Sequence, residues 1–172
     1  PRNVDMQTKM NLKIKFRESF RPFAPAILEE DCINYFQLNK PSKYMLLVAD
    51  LKKELQINIK DNQLKGLDKL KAIRSKLPAI THIDYSARIQ TINKESNEFF
   101  YSIIKAFKDK TNCPVVINTS FNIRGEPIVN TPDDAVRCFM KTNMDILILG
   151  NFILIKNQQE NKKDYDYEVE LD

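Results

Sequence analysis

The 172 residues make a chain of 20.1 kDa with 42% hydrophobic and 29% charged residues, the balance of an ordinary soluble globular domain with material for one good core. Its longest apolar runs, such as Ile146–Leu149, are far too short to span a bilayer, and three scattered cysteines with a single histidine leave no ligand set for structural zinc. The formal charge of +4 is mild but polarised: Arg2, Lys9, Lys13, Lys15, Arg17 and Arg21 crowd the start, while Asp164, Asp166, Glu168, Glu170 and Asp172 crowd the end.

The amino end has neither an initiator Met nor an apolar signal core, which reads as a piece of a longer cytoplasmic protein with Cys32, Cys113 and Cys138 reduced. Met6, Met10 and Ile14 recur every four residues and predict a short helix over Asp5–Phe16. Phe20–Leu28, broken by Pro22 and Pro25, predicts an edge strand or an extended segment, because proline cannot donate to a ladder. Tyr44–Leu51 reads as a strand, and the polar stretch Lys52–Lys76 as a mobile loop with a weak helix. Short strands are expected at Pro78–Ile83 and Ala87–Ile92, around the turn Asp84-Tyr85-Ser86. Phe100, Ile103, Ile104 and Phe107 form an apolar helical stripe that Asn93 or Ser96 can cap, ending near Lys110. Val115–Ile117 is a buried strand running into Asn118-Thr119-Ser120-Phe121-Asn122. A second helix opens at Thr131-Pro132-Asp133-Asp134, and Asp145–Leu149 pairs with Phe152–Ile155 across Gly150-Asn151. Strands alternating with helices give one α/β domain over residues 1–157, with 158–172 an acidic tail or closing segment.

Three constellations could carry chemistry. In Lys15–Arg21, alternation along an extended segment would place Lys15 and Arg17 on one face with Phe16 and Phe20 in the core, so that both cations enter one cleft. Thr81–Arg88 presents the only histidine, His82, and Arg88, whose fork suits phosphate or carboxylate oxygens; the structural alternatives are an Arg88–Asp84 pair and a packed His82. Asn118–Asn122, just past a buried strand, offers amides, hydroxyls and backbone N–H groups where α/β folds gather ligands. No Walker-type phosphate loop occurs.

The runs Lys15–Ala26, Thr81–Asp84 with Ala87–Thr91, and Pro114–Asn122 with Gly125–Val129 and Thr131–Ala135 together resemble the carbamoyltransferase C-terminal domain of NodU-, CmcH- and TobZ-type O-carbamoyltransferases. The resemblance covers nearly all of residues 1–157, and Lys15-x-Arg17 with Ser120-x-Asn122 fits the K-x-R and S-x-N elements of the wider YrdC-like superfamily. Tyr85-Ser86 departs from the smaller, glycine-containing pair of many members and leaves the shape of that turn open.

The resemblance implies a single YrdC-like domain with a twisted, largely mixed β-sheet packed with helices. It further implies that ATP, with Mg2+ carried on its phosphates, and carbamoyl phosphate bind here to form carbamoyl adenylate. A sugar-kinase-like N-terminal domain of the full-length protein would then pass the carbamoyl group to a hydroxyl acceptor, so complete transfer is not expected of this chain alone. The residues implied are Lys15, Arg88 and Ser120 for catalysis, and Lys15, Arg17, Arg21, Arg88, Asn118, Ser120 and Asn122 for ATP and carbamoyl phosphate, with His82 a further candidate and no protein metal site. Two rivals share the superfamily: a threonylcarbamoyl-adenylate synthase, disfavoured by the Phe20–Ala26 and Thr81–Thr91 runs, and an RNA-binding module, disfavoured because Phe16, Phe20 and Phe23 suit core packing better than a stacking groove. No membrane contact is expected.

Overall fold

The computed structural model describes residues 1–59 and 65–160, so part of the expected 52–76 loop and most of the acidic tail lie outside the described residues. The fold is mixed α/β. A short helix, α1 (Met6–Met10), continues into one π-helical turn over Asn11–Lys15. The chain divides into two compact units, one built from Pro1–Gln7 with Pro22–Thr119, the other from Thr8–Arg21 with the residues from Ser120 onward.

The first unit contains β1 (Ala24–Leu28), α2 (Cys32–Tyr35), β2 (Leu47–Asp50), α3 (Leu67–Lys71), β3 (Ser86–Ile92), α4 (Glu98–Thr111) and β4 (Val115–Asn118). Its four strands form one sheet in the order β2-β3-β1-β4, with β1 parallel to β3 and the other pairs antiparallel. All five residues of β1 are buried, so this strand is central and not the edge strand its prolines suggest. Pro25 is tolerated because the register with β3 starts only at Ala26, so the position whose N–H is missing has no paired residue on β3. One face of the sheet carries α4: Ile104, Phe100 and Tyr101 pack on Ala26, Leu28, Ile92 and Val116. The helix is capped by Asn97, which accepts from the Phe100 N–H, one residue past the expected cap, and it ends on Asn112 at φ 54.

Two further expectations are corrected. Pro78–Ile80 is a 3-10 turn and not a strand, since Pro78 sits where a helical turn starts and the Thr81 hydroxyl bonds back to the Leu77 carbonyl at 2.8 Å. The strand expected from Tyr44 begins only at Leu47, because Met45 adopts φ 55, which breaks the extended run.

The second unit packs α5 (Pro132–Lys141) on a hairpin of β5 (Ile146–Leu149) and β6 (Phe152–Ile155). Helix α5 opens as expected: Thr131 accepts from the Asp134 N–H while Asp134 accepts from the Thr131 N–H, closing a capping box with Pro132 at the first position. Gly150, at φ 59, makes the two-residue turn that lets Leu149 face Phe152. Ala135, Phe139 and Leu147 are the buried centre, and the Lys156 ammonium lies 3.9 Å from the Phe139 ring centroid. The opposite hairpin face holds Ile146, Ile148 and Ile153, exposed at 54%, 61% and 67%.

Phe139→Ala, which empties the centre of this unit, is expected to cost about 3–5 kcal/mol, whereas Thr131→Ala, which removes one cap, costs about 1 kcal/mol. Urea unfolding of the two variants checks the ranking; a cap loss as severe as the core loss would contradict it.

Candidate functional site

In the second unit the π-turn governs the basic segment. Phe16 donates its N–H to the Asn11 carbonyl and takes φ 48, so the backbone reverses at the middle of Lys15-x-Arg17. Lys15 and Arg17 are therefore not alternating residues of an extended strand, and Phe20 is 36% exposed and not a core residue. The helix also buries a different stripe from the one its methionines suggest: Asn11 is fully buried and Lys15 is 5% exposed, while Met6, Met10 and Ile14 are half-buried.

The Lys15 ammonium reaches Asn122 O at 2.6 Å, Asn122 Oδ1 at 2.7 Å, Ser120 O at 2.8 Å and Ser120 Oγ at 3.2 Å. Four oxygens face three N–H donors, and all four belong to the Ser120-x-Asn122 element. Ser120 Oγ donates in turn to Asn122 Oδ1 at 2.6 Å, and Asn122 Nδ2 donates to the Glu126 carbonyl at 2.9 Å. A turn over Ile123–Glu126 completes the loop, with Gly125 at φ 81 where a side chain would be strained. The Lys15 carbonyl also accepts from the Arg124 N–H at 3.1 Å. Burial first, and then the Arg17 guanidinium, push the Lys15 amine down from 10.5 to about 8.

Arg17 donates from Nε to Asn11 Oδ1 at 2.6 Å. Burial and then Arg21 hold its guanidinium below the ordinary arginine value, with Glu18 acting the other way. Arg21 is exposed and meets Glu18 at 3.5 Å, and Arg124 reaches the same carboxylate at 3.9 Å, a surface arrangement that contributes little to stability.

In the first unit, Arg88 and Asn118 lie on the sheet face that α4 also covers. Val48 pairs with Arg88, Ala24 with Asn118, and Ala26 lies beside Gln90 in parallel register. Arg88 is thus level with Ala24, and two strand spacings separate it from Asn118, about 10 Å between backbones. Asn118 donates to the Gln90 side-chain oxygen and, at 3.4 Å, to the Met45 sulfur; Gln90 donates to the Lys43 carbonyl at 3.0 Å. Among the described residues the Arg88 side chain forms no hydrogen bond or ion pair. Its expected structural partner is taken: Asp84 Oδ1 accepts from the Ser86 N–H at 3.0 Å and from Ser86 Oγ at 2.7 Å.

His82 and Ser86 are 3.1 Å apart at Nδ1 and Oγ. Because Ser86 gives its proton to Asp84, the network assigns Nδ1 as the donor and leaves Nε2 the acceptor. Burial lowers the His82 pKa, so the ring is neutral at pH 7. This Ser–His–Asp group is no nucleophile triad, since the serine proton points to the carboxylate and away from the imidazole. The buried Arg74, which bonds the Ile83 carbonyl at 3.0 Å, fixes the turn from behind. Asn11, Gln90, Arg74 and the Glu126 carbonyl are all supports that reading the sequence missed. Among the described residues no cluster of three or more His, Cys, Asp or Glu is placed to hold a metal, and no helix is long and apolar enough to cross a membrane.

The Lys15 ammonium is expected to titrate near pH 8, which side-chain NMR of this lysine checks directly. Because its folded value lies below 10.5, the unfolded chain holds more protons between about pH 8 and 10.5, so the stability carried by Lys15 rises across that window. The Lys15→Met protein lacks this rise and loses about 1–3 kcal/mol at pH 7 for each acceptor left unsatisfied. A wild-type midpoint near 10.5 would contradict the assignment.

Residues 1–156 match the family described as Carbamoyltransferase C-terminus. The uncharacterized protein sll1178 of Synechocystis sp. is 54% identical over all of this chain and 29% of its own length. Nodulation protein NolO of Bradyrhizobium diazoefficiens is 35% identical over 91% of this chain and 26% of its own. Nodulation protein U of Rhizobium tropici is 32% identical over 73% of this chain and 18% of its own. The chain therefore spans less than a third of the length of these relatives, and it corresponds to one part of each. With the family matched from Pro1 to Lys156, the chain belongs to the carbamoyltransferase C-terminal family.

Proposed function

We propose that this chain is the nucleotide- and carbamoyl-phosphate-binding part of an ATP-dependent O-carbamoyltransferase, and that it forms carbamoyl adenylate for transfer to a hydroxyl acceptor by another part of the full-length protein. The observation that carries the reading is the Lys15 ammonium bound to Ser120 and Asn122, which joins Lys15-x-Arg17 and Ser120-x-Asn122 into one element in a chain of this family. The relatives' greater length supports a division of labour between this part and a larger remainder.

The chemistry explains the residue types. A carbamoyl group is a poor electrophile without a good leaving group, and joining it to AMP brings anionic oxygens together, so fixed cations and N–H donors must offset their repulsion. Arg17 and Arg88 are the guanidinium groups assigned to phosphate oxygens, with Arg21 and Asn118 assisting. Lys15 acts one step back: its donors hold Ser120 and Asn122, whose loop presents backbone and side-chain groups to the nucleotide. Mg2+ enters on the ATP phosphates with water completing its shell.

Calorimetric titration tests the reading. The chain is expected to bind MgATP and carbamoyl phosphate, with threonine and a structured RNA failing to compete, and to carbamoylate no hydroxyl acceptor alone; turnover of an acceptor by this chain would overturn the division of labour. Arg88→Ala is expected to weaken carbamoyl phosphate binding about tenfold to a hundredfold, matching roughly 1.5–3 kcal/mol for a charge-assisted contact, without lowering the melting temperature. Arg88→Lys should recover little, because the charge survives but the fork does not. Unchanged affinity in both variants would remove Arg88 from the site.

A further inference from the structure

We propose that Asn11 is a positioning residue for anion recognition, acting through Arg17. Asn11 has no exposed surface, and every polar atom of its carboxamide is engaged within the segment that carries the basic residues. Its Oδ1 accepts from Arg17 Nε at 2.6 Å, and its Nδ2 donates to Ser19 O at 3.1 Å and to Arg21 O at 2.7 Å. Its backbone carbonyl accepts from the Phe16 N–H and, at 3.0 Å, from the Arg17 N–H. One buried residue thus fixes the guanidinium at its inner nitrogen and the backbone on both sides of Glu18.

The arrangement is specific to asparagine. The side chain must accept one bond and donate two, which Asp cannot do because its carboxylate has no donor, and which Leu cannot do at all. Glutamine carries the same groups one methylene further out, away from the three partners that the asparagine reaches, at a residue with no exposed surface. Anchoring Nε also matters for function: a guanidinium held at its inner nitrogen keeps one plane and one direction for its outer fork, so binding an anion orders it less. The π-turn is what points Asn11 and Lys15 inward together, one toward Arg17 and the other toward Ser120 and Asn122.

The inference rests on the reading of Arg17 as a phosphate ligand, and a double-mutant cycle separates the two. MgATP affinity is measured by calorimetry, well below each melting temperature, for the wild type, Asn11→Leu, Arg17→Ala and the double variant. Asn11→Leu, which removes the acceptor for Arg17 Nε without adding charge, is expected to weaken binding about tenfold, and to add no further loss once Arg17 is alanine. Additive losses, or an unchanged affinity in Asn11→Leu, would show that Asn11 supports only the fold and would overturn the proposal. An unchanged affinity in Arg17→Ala overturns the reading of Arg17, and the inference with it. The hold on Arg17 has its own readout: the wild-type Arg17 Nε–H should exchange with water at least tenfold slower than that of Arg21 in NMR spectra. Equal exchange rates would sink the proposal even where Asn11→Leu fails to fold or MgATP does not bind.

Discussion

A charged amine taken out of water is among the costliest things a small domain can hold, and it persists only where oxygen atoms replace the lost hydration. Lys15 meets that condition with the two carbonyls, the hydroxyl and the amide oxygen of Ser120 and Asn122. The arrangement constrains both partners. The π-turn must deliver the lysine inward, and the loop after Thr119 must curl until residues 120 and 122 face one point, which the Ile123–Glu126 turn with Gly125 permits. Lysine suits this place because its ammonium is compact and donates in three directions, whereas a planar guanidinium would not fit a pocket of converging oxygens.

The sheet unit solves a different problem: one face must be both a core and an open polar surface. Small residues make the division. Ala26 in the central strand lets α4 close over one end, while at the other end Arg88 and Asn118 rise beside the methyl group of Ala24 and meet no bulky neighbour on β1. Gln90 links the two regimes, because its amide ties Asn118 to the Lys43 carbonyl across the sheet. The ribbon beyond it, with Met45 at φ 55, is drawn in by the same bonds.

What could be read from the sequence was chemistry acting over a few residues. The Thr131–Asp134 box, the apolar stripe of helix α4 and the Gly150 hairpin all declare themselves within one turn of chain, and the structure has each of them, although Asn97 caps α4 in place of Asn93 or Ser96. The family was legible because its motifs are long and ordered, and it brought the candidate residues with it. What stayed hidden depends on partners far away in sequence. Lys15 finds its acceptors 105 and 107 residues on, so alternation within its own segment gave the wrong direction for its side chain. The 6-10-14 stripe looked like the buried face because methionine and isoleucine are apolar, yet the 7-11-15 side contributes the buried polar pair. Likewise Pro25 suggested an edge, and only the register with β3 reveals why a central strand can contain it.

The isoleucine face of the hairpin has a practical side. Ile146, Ile148 and Ile153 present branched hydrocarbon to water on one face of the ribbon, while Phe152, on the other face, is exposed at the turn. A surface of that kind gives a protein its colloidal temperament: it favours retention on hydrophobic resins, early salting-out in ammonium sulfate, and loss to plastic and air–water boundaries in dilute solution. Handling of the chain in dilute solution therefore depends in part on the apolar side chains that this hairpin shows to water.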